Sequence, residues 1–164
     1  MQIVFDSSTL ILLAKIGLLD TFLDHFPGNL FISRTVEEEC TVKHSPDAKL
    51  IQGRVNEGKI RAKRIRDKKL CVKMEKDFNI NLGEAETIIM GRQFKAIVAT
   101  DDWNAIQACK ILKLPFTSAL AILVRLKGKR VIDKETAVAK LQALAEYGWY
   151  DKQIIGNVKK KLEE

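Results

Sequence analysis

Short apolar runs alternate with helix-patterned stretches along this chain, and that alternation limits its fold more than any other feature. QIVF, Leu30-Phe31-Ile32, Ala96 to Thr100 and Pro115 to Thr117 read as short, largely buried strands. Lys59 to Ile65 alternates basic with apolar residues and reads as an edge strand. Between these runs lie helical stretches with interpretable ends. SSTLILLAKIG stops at Gly17, and Ser33 is a candidate N-cap. Ser45-Pro46-Asp47 puts proline at a first helical position, with Gly58 as the stop. Leu82-Gly83 introduces a helix from Glu84 to about Phe94, Trp103 to Lys113 and Ala119 to Lys127 give two more, and Asp133 caps one through Tyr147. Strands alternating with helices predict an α/β fold, with a parallel sheet covered on both faces. Ligands bind such sheets beyond the carboxyl ends of the strands.

Acidic residues recur at those ends. Asp6 follows QIVF, Glu39 lies in SRTVEEEC, Glu84 and Glu86 open NLGEAETI, and Asp101-Asp102 follows AIVAT. Like charges brought together repel, by roughly 4 kcal/mol per pair at 4 Å and an effective dielectric near 20. A divalent cation between them removes that repulsion, and an oxygen-only donor set suits Mg²⁺ or Mn²⁺. The pattern is that of a metal-dependent phosphodiester hydrolase. Each acid also has a plainer reading. Asp6 and one of Asp101 and Asp102 suit helix caps, and Glu84 and Glu86 suit a helix N-terminus. Among Glu37, Glu38 and Glu39, the last lies beside the apolar face formed by Val36 and Cys40. Glu84 and Glu86 point about 200° apart on a helix but share its first turn, where both could approach a metal from different sides. A nucleophilic-aspartate phosphotransferase would need a second Asp two residues after Asp6, where this chain has Ser8.

Composition narrows the alternatives. At 164 residues, 46% hydrophobic and 30% charged, the chain is most simply one soluble domain. It opens on MQIVF without a basic leader, and its apolar runs are too short to span a bilayer, so a cytoplasmic protein is expected. Three separated cysteines without a CxxC pair argue against zinc and disulfide frameworks, and Cys40 and Cys109 read as core fillers. Two histidines, His25 and His44, leave little for histidine-based catalysis. The net charge of +7 favours polyanionic partners.

The acids in this order make the chain resemble a PIN-domain nuclease over approximately residues 1–132. VFDSSTLILLAKIGLLDTF, ISRTVEEEC, LGEAETIIMG, IVATDDWNAIQACKILKLPF and TSALAILVRLKGKRVI carry the likeness. It implies a three-layer α/β/α sandwich with a central, mainly parallel sheet, followed by a helical extension over 133–164 packed on the same domain. It also implies an endoribonuclease for single-stranded RNA, one of a family with many toxins of toxin–antitoxin pairs. Asp6, Glu39, Glu84 and Asp102 would be catalytic and hold Mg²⁺ or Mn²⁺, with Asp101 and Glu86 also near the metal. Ser7, Ser8 and Thr9 would meet a phosphate or cap the helix. An antitoxin protein and a homodimer are expected partners. Two departures concern substrate grip: Trp103, Asn104 and Ile106 stand where relatives often carry a basic residue, and Thr117-Ser118 replaces a common Gly-Thr. The alternative is a non-catalytic PIN-like module that binds RNA or protein.

Nine Lys or Arg residues fall between Lys59 and Lys76, among them Arg61, Lys63 and Arg64. They read either as a track for an RNA backbone or as a solvated edge that resists aggregation. Trp103 reads as a core or interface residue, with base stacking as the other reading. The final charged helix covers the sandwich or meets a partner chain.

Overall fold

Three strands start the chain's first half: β1 (Gln2–Phe5), β2 (Asn29–Ser33) and β3 (Arg61–Lys63). The helices among them are α1 (Ser7–Lys15), α2 (Leu19–His25), α3 (Arg34–Thr41) and α4 (Pro46–Asn56). The second half runs α5 (Lys68–Phe78), α6 (Leu82–Phe94), β4 (Ile97–Ala99), α7 (Trp103–Ile111), β5 (Phe116–Thr117), α8 (Ala119–Gly128), α9 (Lys134–Tyr147) and α10 (Lys152–Glu163). This computed structural model describes residues 1–164. All neighbouring strands pair in parallel, in the order β3-β2-β1-β4-β5. The chain builds outward from β1 in one direction, then returns to place β4 on its other flank. The strand order therefore reverses between β1 and β4, and a crevice opens there at their carboxyl ends.

The pleat sorts the strand residues between two helical layers. Ile3 and Phe5 of β1, Leu30 and Ile32 of β2 and Ala99 of β4 join one core cluster with α1 to α4 and α8 to α10. Val4 and Phe31 face the other way with Met90 of α6, and Val98 packs with Ala85, Ile88 and Ile89 of α6 and Ala105, Ala108 and Cys109 of α7. The result is a three-layer α/β/α sandwich. Leu141, Leu144 and Leu162 of α9 and α10 belong to the first cluster, so these last helices share the core of β1. All three cysteines are buried and free. No helix is long and apolar enough to cross a membrane.

Several local expectations need adjustment. Helix α6 starts at Leu82, two residues before Glu84, because Asn81 and Glu84 form a reciprocal capping box at 2.8 and 2.9 Å. The basic edge strand is only three residues long, with Lys59 and Ile60 in the bend before it and Arg64 and Ile65 in the connection to α5. Trp103 is not a core residue. It is 70% exposed, because the first turn of α7 projects beyond the sheet.

Helix α6 lies directly on β4 at Gly91, where an added Cβ would stand 2.5 Å from Val98 Cγ2. Valine's branched side chain has little freedom to retreat. Gly91→Ala should therefore destabilise the fold by about 1–3 kcal/mol despite alanine's better helix propensity. Urea denaturation with an unchanged m-value is the check, and a stabilised variant would mean that the helix and strand separate freely.

Candidate functional site

The carboxyl ends of β1 and β4 deliver Asp6 and Asp101 to the crevice. Asp6 is only 1% exposed. Its Oδ1 accepts from the Ser8 hydroxyl at 2.7 Å and from the Thr9 N–H at 3.1 Å, which caps α1. Its Oδ2 accepts from the Thr100 hydroxyl, one residue beyond β4. Burial pushes the Asp6 carboxyl up to about 7 against the opposing effect of these three hydrogen bonds, and the charge of Asp101 adds to the rise. Asp101 Oδ2 accepts from the Thr9 hydroxyl at 2.6 Å and the Ala119 N–H at 3.0 Å. Its Oδ1 accepts from the Tyr150 hydroxyl at 2.6 Å. Thr9 thus bridges the two acids, with its N–H to one and its hydroxyl to the other.

The remaining acids stand around this pair. Asp102 caps α7 through Ala105 N–H at 2.9 Å. Glu84 has its carboxyl raised by burial, with Asp102 and Glu39 adding repulsion. Glu39, on α3, lies against the start of α6: a Cβ on Gly83 would stand 2.7 Å from its Oε1. The missing side chain at Gly83 is what lets the two helices' acids approach. Glu37 instead pairs with Arg34 at 2.8 Å. Glu86 is buried, turned towards Cys71 of α5, and its Oε2 has no hydrogen-bond partner.

None of Asp6, Glu39, Glu84, Glu86, Asp101 and Asp102 forms a salt bridge with Lys or Arg. No three His, Cys, Asp or Glu side chains stand close enough together to form a ready cage for an ion. The carboxylates of Asp6, Asp101 and Asp102 are instead hydrogen-bonded to hydroxyls and helix N–H groups. The donor set itself fits a hard divalent cation, being oxygen-only, and the unpartnered Glu86 oxygen and the raised Asp6 both lack a compensating positive charge.

The structure distributes the other predicted residues unequally. Ser7 and Ser8 line an open cleft of about 500 Å³ with Glu84, Asp101 and Asp102, whereas the Thr9 side chain is buried between the acids. Lys63 pairs in register with Ser33, so Lys63 and Arg64 leave β3 at the carboxyl edge, two strands or roughly 10 Å from β1. Arg61 is at the opposite end of β3, in a separate cleft with Asp24, Gly28 and Lys59. All nine basic residues from Lys59 to Lys76 are exposed.

Sequence reasoning missed the contribution of the C-terminal region. The end of α9 and the turn after it bring Tyr147, Gly148, Trp149 and Tyr150 to the same cleft, with Tyr150 bonded to Asp101. The signal was present as YGWY, three aromatics in four residues. Thr100 was also passed over, although it is the hydroxyl that joins β4 to Asp6.

A family model described as a PIN domain matches residues 2–164, including α9 and α10. No curated protein and no solved structure shows a significant similarity.

Unfolded, Asp6 loses its proton near 3.8; folded, it keeps it to about 7. The folded chain therefore binds more protons across that interval, and the stability associated with Asp6 is lost as pH rises through it. In EDTA, Asp6→Asn should melt well above wild type at about pH 8 and close to it at about pH 4. Glu84 titrates with the same sign and leaves a residual slope in the variant. Parallel melting profiles for the two proteins would show that the Asp6 proton is not linked to folding.

Proposed function

Because the chain belongs to the PIN-domain family, we propose that it is a metal-dependent endoribonuclease acting on single-stranded RNA at the β1/β4 crevice. The observation that carries this reading is that Glu84, Asp101 and Asp102 share a cleft at the point where the strand order reverses, with buried Asp6 beside Asp101 and Glu39 beside Glu84, and that none of the five pairs with a Lys or Arg. Asp6, Glu39, Glu84 and Asp102 would hold Mg²⁺ or Mn²⁺, with Asp101 and Glu86 behind them. Such an ion, when bound, supplies a more acidic water and offsets charge on the phosphoryl oxygens.

The chain's own groups have distinct tasks in this scheme. Thr9 and Ser8 hold Asp6 and Asp101 in fixed orientations, and Thr100 holds the second Asp6 oxygen. Asp6 must give up its proton to act as a ligand, which its raised pKa makes easy only near neutrality and above. Ser7, at the cleft wall, is placed to meet a phosphate, and exposed Lys63 and Arg64 attract the backbone at the same edge of the sheet. A toxin role with an antitoxin protein, a homodimer and a cytoplasmic setting belong to the same proposal. One observation favours a non-catalytic binding module instead: Asp101 is already satisfied by Thr9, Ala119 and Tyr150.

Cleavage of a panel of single-stranded RNAs in Mg²⁺ or Mn²⁺ is the direct test. Asp6→Asn and Asp102→Asn should each lose about a hundredfold or more in rate, since each removes a charge from the reacting centre. Equal cleavage by the three proteins would remove the assignment. A second expectation concerns binding alone. Mn²⁺ at about one hundred times its dissociation constant should stabilise wild type by about 2.7 kcal/mol, read as a rise in melting temperature. That rise should shrink in Asp6→Asn, and its absence in wild type would favour the binding module.

A further inference from the structure

The chain has two tryptophans and two tyrosines, and all four line one cleft. Trp103 stands at the start of α7, directly after Asp101-Asp102. Tyr147 ends α9, and Trp149 and Tyr150 come from the turn between α9 and α10, far away in sequence. Trp149 is fully exposed, Trp103 is 70% exposed and Tyr147 is 53% exposed. Large aromatic rings held in water at the mouth of an acid-lined cleft have no packing role in the folded chain. The turn that carries Trp149 is nevertheless well anchored. Tyr150 donates its hydroxyl to Asp101 at 2.6 Å, and its ring lies so close to Gly148 that a Cβ there would stand 2.3 Å from it. Lys15 sits 5.4 Å from the centre of the Tyr147 ring and lines the same cleft. The anchoring holds Trp149 outward on a fixed turn.

We propose that Trp103 and Trp149 form a stacking platform for the bases of a single-stranded nucleic acid whose backbone passes the acidic crevice. This assignment deepens the ribonuclease reading and rests on it for the choice of ligand. Several features favour a nucleic acid over a protein as the occupant. Glu84, Asp101 and Asp102 line the cleft together with Ser7 and Ser8, so the aromatic rings border polar groups that a phosphodiester chain with its metal ions can meet. The net charge is +7, and seven of the nine exposed basic residues between Lys59 and Lys76 lack an acidic partner, only Lys59 and Lys73 having one. Aromatic faces accept any base, while Lys15 and the basic edge meet phosphates, the usual division of labour in single-strand binding. Duplexes would be excluded, because their bases already stack on one another.

The two tryptophans are also the chain's only indole fluorophores, so its emission reports on this cleft alone. The test titrates the full-length Asp6→Asn protein, in Mg²⁺, with a short oligoadenylate and with an abasic phosphodiester chain of equal length. Stacking predicts saturable quenching by oligoadenylate and little by the abasic chain. Trp149→Ala and Trp103→Ala should each weaken oligoadenylate binding about tenfold, and Trp149→Phe should retain most of it. Because Trp149 is fully exposed, Trp149→Ala should melt with wild type, which separates lost binding from lost folding. Equal quenching by both chains, or unchanged affinity in both alanine variants, would overturn the platform. So would a concentration-dependent blue shift without oligonucleotide, which would assign the aromatics to a protein contact. Base-dependent quenching by a wild-type protein that cuts no RNA would uphold the platform while removing the nuclease reading.

Discussion

The carboxylate of Asp6 is the joint on which the rest of the site depends. It ends β1, caps α1 through Thr9, and takes a hydrogen bond from Thr100 beyond β4. Three elements therefore meet at one buried acid, at the place where the strand order reverses. A buried charge is costly unless it is paired, and Asp6 is satisfied only by neutral donors. Its response is to hold its proton to near neutrality. Fold and chemistry thus compete at this residue. The protonated form suits the apolar surroundings, and the ionised form suits a cation.

The same competition extends outward. Glu84 and Asp102 spend part of their hydrogen-bonding capacity as helix caps, so their positions are stable without any ion. Glu39 reaches them only because Gly83 leaves room. Glu86 has no local partner for one oxygen, and so it is the acid least explained by folding alone. The hydroxyls of Ser8, Thr9, Thr100 and Tyr150 donate to Asp6 and Asp101 and fix their orientations.

Much of the scaffold was legible in the chain. Asp6, Ser33, Asp102 and Asp133 each precede a helical pattern and each caps one in the structure. The start of α6 was misplaced because Leu82 looks like a loop residue until Asn81 and Glu84 are seen to bond reciprocally. Trp103 was read as a core or interface residue, but it opens α7 with 70% of its surface exposed, a placement that its neighbours Asp102 and Asn104 do not reveal. Arg61 and Lys63 are two residues apart in sequence and lie towards opposite ends of a three-residue strand, a separation that composition does not express.

Local rules act over a few residues, and the sequence by itself determined what those rules govern: the alternation of strands and helices, most helix ends, the two-sided core and the acids at strand termini. Only the tertiary structure decided which acids share a crevice, because that depends on β4 returning to the flank of β1. It also brought YGWY to Asp101, across 49 residues of chain. No periodicity or capping signal spans such a distance. The contact exists because α9 buries Leu141 and Leu144 in the common core, and its last turn then ends at the mouth of the cleft.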